Sequence, residues 1–290
     1  MKHLKILVLF ALTAHFVDAQ SSVETQPVSF GEFLEWDWSQ DKNAVVFADV
    51  CNVRATPDQN GKLLGKLSIG TKLKLLEITN SKLTQNGIES PWIRISSGSL
   101  TGYIWGGTVT KGTLKLKDGK LVLWGLTEIR KSEDENQLDT VFASVRIFEK
   151  GVIILKHDFE VVYGDQPANG YLEIFPATEL GDAKNVIVFK TLAEACGVYA
   201  SMHYLVYSGS GLHFVGSGYS MGDSGILSTS LTYIFPSEAT SEDYRFQPQP
   251  QHILLVEYNG MYEEDCSWTE TSKVLDFTWE GNQLVKYCEQ

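Results

Sequence analysis

Basic side chains are scarce in this sequence. It has 24 Lys and Arg residues against 36 Asp and Glu residues, which gives a formal net charge of −12 at pH 7. A chain with this excess of negative charge is repelled by the phosphates of nucleic acid and by anionic membrane surfaces. The composition therefore excludes both as expected partners.

Long apolar runs are also missing after the N-terminus, which predicts no integral membrane segment in the mature chain. The first residues are different: Lys2 and Lys5 precede a nine-residue apolar stretch, Ile6–Ala14, and Val17–Ala19 supplies a small residue just before Gln20. This is the pattern of a secretory signal peptide spanning residues 1–19. It predicts an exported protein, periplasmic or extracellular, that is soluble after cleavage.

Cysteines are few, at Cys51, Cys196, Cys266 and Cys288. They form no C-x-x-C pair and the histidines are not clustered, so the sequence predicts neither a zinc site nor any other metal, and no cofactor. An exported chain permits disulfides. Cys266 and Cys288 flank two adjacent terminal strands and are the preferred pair, whereas the pairing of Cys51 and Cys196 stays open.

Helix signals are rare too, with residues 191–196 the one helix candidate. Short runs of alternating apolar and polar residues, separated by turn residues, predict an all-β protein. Residues 20–43 form an aromatic-rich leader segment, and residues 44–113 form a small antiparallel barrel. Residues 114–290 hold ten to twelve further strands, which predict a larger antiparallel β domain that is a sandwich, a barrel or propeller-like.

The barrel segment carries an ordered series of marks: an N-V-R-x-x-P element, two spaced glycines, a tryptophan that opens a strand, and a closing Gly-Tyr-Ile strand. The residues are Asn52, Val53, Arg54, Pro57, Gly65, Gly70, Trp92, Gly102, Tyr103 and Ile104. This order resembles the bacterial SH3-like (SH3b) domain family. Two departures are Cys51, where the family has an aliphatic residue, and an enlarged segment at Asn80–Ser90.

The resemblance implies an SH3-like barrel that serves as a recognition module for a cell-wall peptide, a glycan or another envelope protein. Aromatic side chains suit such a surface. The candidate ligand-binding residues are Trp36, Trp38, Trp92, Tyr103 and Trp105. Trp92 and Tyr103 equally fit positions at which such a barrel fills its own core.

Three short motifs raise the alternative of an enzyme. Residues 222–225 read Gly-Asp-Ser-Gly, as around the nucleophile of chymotrypsin-like proteases, but the one matching histidine motif ends at His15, inside the signal peptide. Cys266 lies in an Asp-Cys-Ser motif without a downstream histidine. Cys196 has His203 and His213 nearby in sequence, without an evident orienting carboxylate. These gaps favour a non-enzymatic protein; the alternative is a cell-wall or protein hydrolase with its active site in residues 114–290.

Overall fold

A computed structural model describes residues 28–29, 43–133, 139–161, 169–192, 196–223, 226–238, 246–263 and 267–287. The described chain is almost entirely β-strand, arranged in three antiparallel sheets of six, four and nine strands. The prediction of an all-β fold, with a small barrel followed by a larger antiparallel region, is confirmed. Within these residues no helix is long and apolar enough to cross a membrane.

The six-stranded sheet forms the barrel. Its strands are β2 (Asn43–Val45), β3 (Val50–Arg54), β4 (Leu63–Ser68), β5 (Lys72–Gln85), β6 (Ile88–Ser97) and β7 (Leu100–Trp105). They lie in the order β2-β5-β6-β7-β3-β4. Leu73 and Leu75 point into the core while Lys72 and Lys74 are exposed, as the alternation in the sequence predicts. Cys51 is fully buried in the same core, where its thiol acts as a small apolar group.

The four-stranded sheet follows directly. Its strands are β8 (Gly112–Lys115), β9 (Leu121–Arg130), β10 (Thr140–Glu149) and β11 (Val152–Val161), in the order β11-β10-β9-β8. The turn between β10 and β11 has positive φ angles at Lys150 (48°) and Gly151 (89°). Two successive residues with positive φ are typical of the hairpin turn whose twist matches the flanking strands. Lys150 and Gly151 thus form the tight turn of the β10–β11 hairpin.

The nine-stranded sheet contains the rest of the chain. Its strands are β1 (Val28–Ser29), β12 (Asn169–Pro176), β13 (Asn185–Leu192), β14 (Ala200–Tyr207), β15 (Leu212–Asp223), β16 (Leu227–Ile234), β17 (His252–Tyr262), β18 (Trp268–Trp279) and β19 (Leu284–Lys286). They lie in the order β1-β12-β13-β14-β15-β16-β17-β18-β19. The prediction of a helix at residues 191–196 is wrong for its first two residues, because Thr191 and Leu192 end strand β13.

Two cores lie on opposite faces of β13 and β14. On one face, Phe189 packs edge-on against Trp124 of β9, with ring centroids 5.0 Å apart, which joins the four- and nine-stranded sheets as a sandwich. On the other face, Val188 and its neighbours pack with Phe235 and Trp279. The nine-stranded sheet therefore curls back over itself. Of the three predicted architectures, residues 114–290 form the sandwich.

The barrel is joined to the sandwich by more than the chain connection. Arg146 of β10 donates hydrogen bonds to the Phe47 carbonyl oxygen at 2.8 Å and to the Asp49 carboxylate at 3.0 Å. Phe47 and Ile69 of the barrel segment share a buried cluster with Leu123 of β9. The sequence-based boundary between residues 113 and 114 falls inside β8, so the two regions meet along a packed junction.

Candidate ligand-binding surface

Three neighbouring strands of the barrel bring Arg54, Tyr103 and Arg94 side by side. Tyr103 of β7 is the register partner of Arg54 on β3 and of Arg94 on β6. Directly opposed residues point to the same side of a sheet, with Cβ atoms about 4.5 to 5.5 Å apart. Their chain neighbours, such as Ile93 and Ile104, are fully buried on the inner face. The three side chains thus form a row on the outer face, called here the Arg-Tyr-Arg row.

The two arginines of this row are available for a ligand. Arg54 is half-buried, and its Nη1 donates to the carbonyl oxygen of Gly61 at 2.8 Å, which fixes the guanidinium against the turn after β3. Arg94 is exposed. Neither makes an ion pair with the residues that the structure describes, although Glu77 is the register partner of Arg94 on β5. Because a guanidinium presents a planar fork of donors, the row is suited to carboxylates.

Trp92 and Trp105 continue the same face as a cross-strand pair. Trp92 is only 4% exposed and has little surface to offer a ligand. Trp105 is half-buried, donates from Nε1 to the carbonyl oxygen of Leu83 at 2.9 Å, and packs against the core of the sandwich. The structure therefore brings these two tryptophans together with Tyr103. Trp36 and Trp38 lie outside the described residues, and the role of all five aromatic residues in binding stays a prediction.

The enlarged segment Asn80–Ser90 explains why Trp105 is covered. It is a hairpin of β5 and β6 whose tip leans on β9: the Ile129 amide donates to the Asn86 carbonyl oxygen at 2.8 Å. Gly87 has a φ of 74°, and a Cβ atom there would collide with the Ile129 carbonyl group. Ile88 is buried in the core of the sandwich. The insertion is thus a structural bridge between the barrel and the sandwich.

The sequence of the barrel matches one known type of domain. Residues 48–110 match the family model of the bacterial SH3 domain. The predicted resemblance is therefore confirmed, and it covers about a fifth of the chain. Comparison of the chain with curated proteins and with solved structures found no match.

The SH3 domain differs in charge from the rest of the protein. Residues 44–113 hold eight Lys and Arg against four Asp and Glu, a formal charge of +4 within a chain of −12. The exposed basic residues besides Arg94 are Lys62, Lys66, Lys72, Lys74 and Lys82. This local excess of positive charge is not apparent from the net charge of the whole chain. The domain therefore presents an excess of exposed positive charge.

The first two residues of the Gly-Asp-Ser-Gly motif, Gly222 and Asp223, lie at the end of strand β15. Asp223 ends β15 opposite Leu227, and the Ile226 amide donates to the Asp223 carbonyl oxygen at 2.6 Å. Ser224 itself is outside the described residues, as are Cys266 and Cys288 with their predicted disulfide. The position between two paired strands agrees with the interpretation of this motif as a turn.

His203 has the surroundings of a core residue. Its Nδ1 forms a hydrogen bond with the Ser217 hydroxyl at 3.0 Å, and its ring packs 4.6 Å from that of Phe159. Burial, together with the nearby His157, lowers its pKa to about 4. An imidazole with this pKa is a weak base near neutral pH. The structure thus gives His203 a serine partner and an aromatic environment, whereas Cys196 lies exposed in the turn after β13.

Cys51 is a buried thiol of the barrel core. Burial raises the pKa of the Cys51 thiol to about 11, and the Thr108 hydroxyl lies 3.1 Å from its Sγ. A thiol with this pKa is unreactive at neutral pH. In the part of the chain that the structure describes, no three His, Cys, Asp or Glu side chains are grouped as a metal site.

Proposed function

We propose that this is an exported, non-enzymatic envelope protein whose bacterial SH3 domain binds the peptide component of the cell wall. The observation that carries the proposal is the Arg-Tyr-Arg row on a domain of this family. Among the ligands predicted from the sequence, a peptide with free carboxylates fits two guanidinium groups better than a neutral glycan does.

The binding mode follows from the geometry of the row. Arg94 receives a carboxylate through two parallel N–H donors, the strongest type of ionic hydrogen bond. Arg54, already fixed by the Gly61 carbonyl, needs little further ordering to hold a second anionic group. The half-buried Tyr103 ring between them packs against the ligand backbone. Exposed ion pairs contribute only about 1 kcal/mol each, so affinity for a single peptide is low.

Repetition of the ligand compensates for low affinity. A polymer that presents the same peptide many times keeps a dissociated protein close to its next site. The positive charge of the SH3 domain also steers it, and not the acidic sandwich, towards an anionic surface. The proposal therefore predicts retention on intact wall polymer that is far stronger than binding to a free peptide.

Co-sedimentation with purified peptidoglycan tests the binding proposal. We expect Arg94→Ala and Tyr103→Ala to reduce retention several-fold, and Arg94→Lys to restore only part of it because lysine lacks the planar fork. Lys62→Ala is the matched control, since it removes one exposed positive charge of the same domain from outside the row. Equal losses in Lys62→Ala and Arg94→Ala would mean that the row is not the site.

Two further measurements separate the remaining parts of the proposal. Cell fractionation tests export, which predicts a mature chain beginning at Gln20 in the envelope or the medium. Incubation with peptidoglycan, followed by chromatography of the supernatant, tests for enzymatic activity. Release of new soluble fragments by the purified protein would favour the alternative of a hydrolase.

A further inference from the structure

A second candidate surface lies on strands β17 and β18 of the sandwich. Their register places Tyr258, Gly260 and Tyr262 of β17 on one face with Trp268 and Glu270 of β18. The opposite face of these strands supplies core residues such as Ile253 and Trp279. Leu254 and Val256, earlier on the same face of β17, are buried with Ile234, but the end of the strand reaches solvent. The three rings of Tyr258, Tyr262 and Trp268 at this end are called here the aromatic face.

The rings of this face are held in a definite arrangement. The Trp268 indole lies across Gly260, where a Cβ atom would collide with it and would come within 2.7 Å of the Tyr258 hydroxyl oxygen. The Tyr262 and Trp268 rings meet at an angle of 68°, with centroids 5.1 Å apart. Tyr262 is 48% exposed and Trp268 38% exposed. Two exposed rings at a steep angle form the walls of an open corner.

The Glu270 carboxylate borders this corner. The Tyr258 hydroxyl donates to Glu270 Oε2 at 3.2 Å, which places the Glu270 carboxylate next to the rings. Glu263 instead accepts a hydrogen bond at 2.8 Å from the hydroxyl of Thr269, which pairs with Met261 on the opposite face. Lys273 is the register partner of Glu257 on the other face. On the aromatic face, the described residues of β16, β17 and β18 include no lysine or arginine.

The charge of the segment selects the class of partner. Residues 257–273 contain five Asp and Glu residues and one lysine. An anionic partner is repelled by this excess of negative charge. A cation is attracted both by the Glu270 carboxylate and by the faces of the rings.

We propose that the aromatic face binds a basic peptide segment, with a lysine or arginine side chain inserted into the corner of Tyr262 and Trp268. The charged group lies over a ring and near Glu270, while the aliphatic stem covers the indole. This surface is separate from the Arg-Tyr-Arg row, so the inference does not depend on wall binding by the SH3 domain.

Fluorescence anisotropy of labelled acetyl-pentalysine amide, titrated with the full protein at low salt, tests the proposal. We expect Trp268→Ala to weaken binding by roughly threefold or more, the size of a surface cation–π contact. Glu270→Gln should weaken binding by a similar factor, because it removes the carboxylate next to the rings. Trp268→Phe keeps a ring and should retain most of the affinity, which shows that the loss in Trp268→Ala is not caused by misfolding. Glu257→Gln is the matched control, because it removes the same charge from the opposite face.

The salt dependence and the variants distinguish binding at the aromatic face from general charge attraction. Binding that falls with salt, and that Trp268→Ala and Glu270→Gln weaken but Glu257→Gln and Arg94→Ala do not, supports the aromatic face as the site. Equal losses in Glu270→Gln and Glu257→Gln would show attraction to the overall negative charge only, and would overturn the proposal. Absence of peptide binding, or binding of a neutral chitin oligosaccharide in its place, would overturn it as well.

Discussion

Gly87 provides the sharpest test of how the SH3 domain is joined to the sandwich. The residue has a φ of 74° at the tip of the β5–β6 hairpin, directly against the Ile129 carbonyl group of β9. Gly87→Ala therefore introduces both backbone strain and a collision with backbone that cannot rotate away. Gly98 is the matched control, because its φ is 57° and a Cβ atom there meets nothing within 4 Å.

The expected difference in stability between the two variants comes from the contacts that the hairpin tip loses when it moves. Both substitutions carry the left-handed strain of about 1 kcal/mol. Gly87→Ala also breaks the 2.8 Å hydrogen bond between the Ile129 amide and the Asn86 carbonyl, about 0.5 to 1.5 kcal/mol. It further exposes much of the Ile88 side chain, about 1.5 to 3 kcal/mol. We expect Gly87→Ala to lower the free energy of unfolding by about 2 to 4 kcal/mol more than Gly98→Ala.

Urea unfolding followed by tryptophan fluorescence measures this difference, since Trp105 packs at the junction. A second transition in Gly87→Ala, in which the SH3 domain and the sandwich unfold separately, would also show that the hairpin joins the two regions. Equal midpoints and equal slopes for the two variants would show that the hairpin contributes nothing to the junction.

Three further predictions rest on single residues. Folding lowers the pKa of His203 to about 4, so its contribution to stability is complete above pH 6.5 and is lost as the pH falls towards 4. We therefore expect the unfolding free energy of His203→Phe to fall less between pH 7 and pH 4 than that of the unchanged protein, by up to about 3 kcal/mol. The Cys51 thiol, with its pKa at about 11, should resist iodoacetamide in the folded protein and react on unfolding, which mass spectrometry of the alkylated peptide detects. Non-reducing peptide mapping of the protein, purified without reductant, should find Cys266 joined to Cys288, and a map in which either is alkylated instead would contradict the pairing.

The barrel was predictable because its information is local. Alternation such as Lys72-Leu73-Lys74-Leu75 determines which side of a strand faces the core, and turn residues delimit the strands. The N-V-R-x-x-P element then added the order of a known family. The sandwich was predictable only as a set of strands. Strands β12 to β19 pair with their neighbours in sequence, but the packing of Phe189 against Trp124 and of Val188 with Trp279 joins residues that are far apart in the chain.

The bridge to the sandwich could not be predicted from its own residues. Asn80–Ser90 is polar, and polar segments between strands are ordinarily solvent-exposed loops. Its role depends on a carbonyl group of Ile129 and on a core that receives Ile88, and neither is visible in the segment itself. The same holds for Trp105, whose indole N–H bonds to Leu83 within this hairpin.

The Arg-Tyr-Arg row shows what kind of site escapes sequence analysis. Arg54 and Tyr103 were visible as marks of the family, but Arg94 joins them only through the register of β6 with β7. A one-residue shift in that register would send Arg94 into the core and Ile93 to the surface. The local charge of +4 was available in the sequence and would have pointed to an anionic ligand without identifying the row.

The two proposed surfaces have opposite charge and lie on different sheets of one chain. The SH3 domain presents Arg54 and Arg94, whereas the aromatic face presents Glu270 beside Trp268. A protein that binds an anionic polymer through one surface and a basic segment through the other links two partners that do not compete for a site. Because both contacts are ionic, both should weaken as salt shortens the Debye length from about 10 Å at 0.1 M towards about 3 Å at 1 M. Weakening of one surface by Arg94→Ala or Trp268→Ala should leave binding at the other unchanged, and it should reduce the amount of the complex that contains both partners.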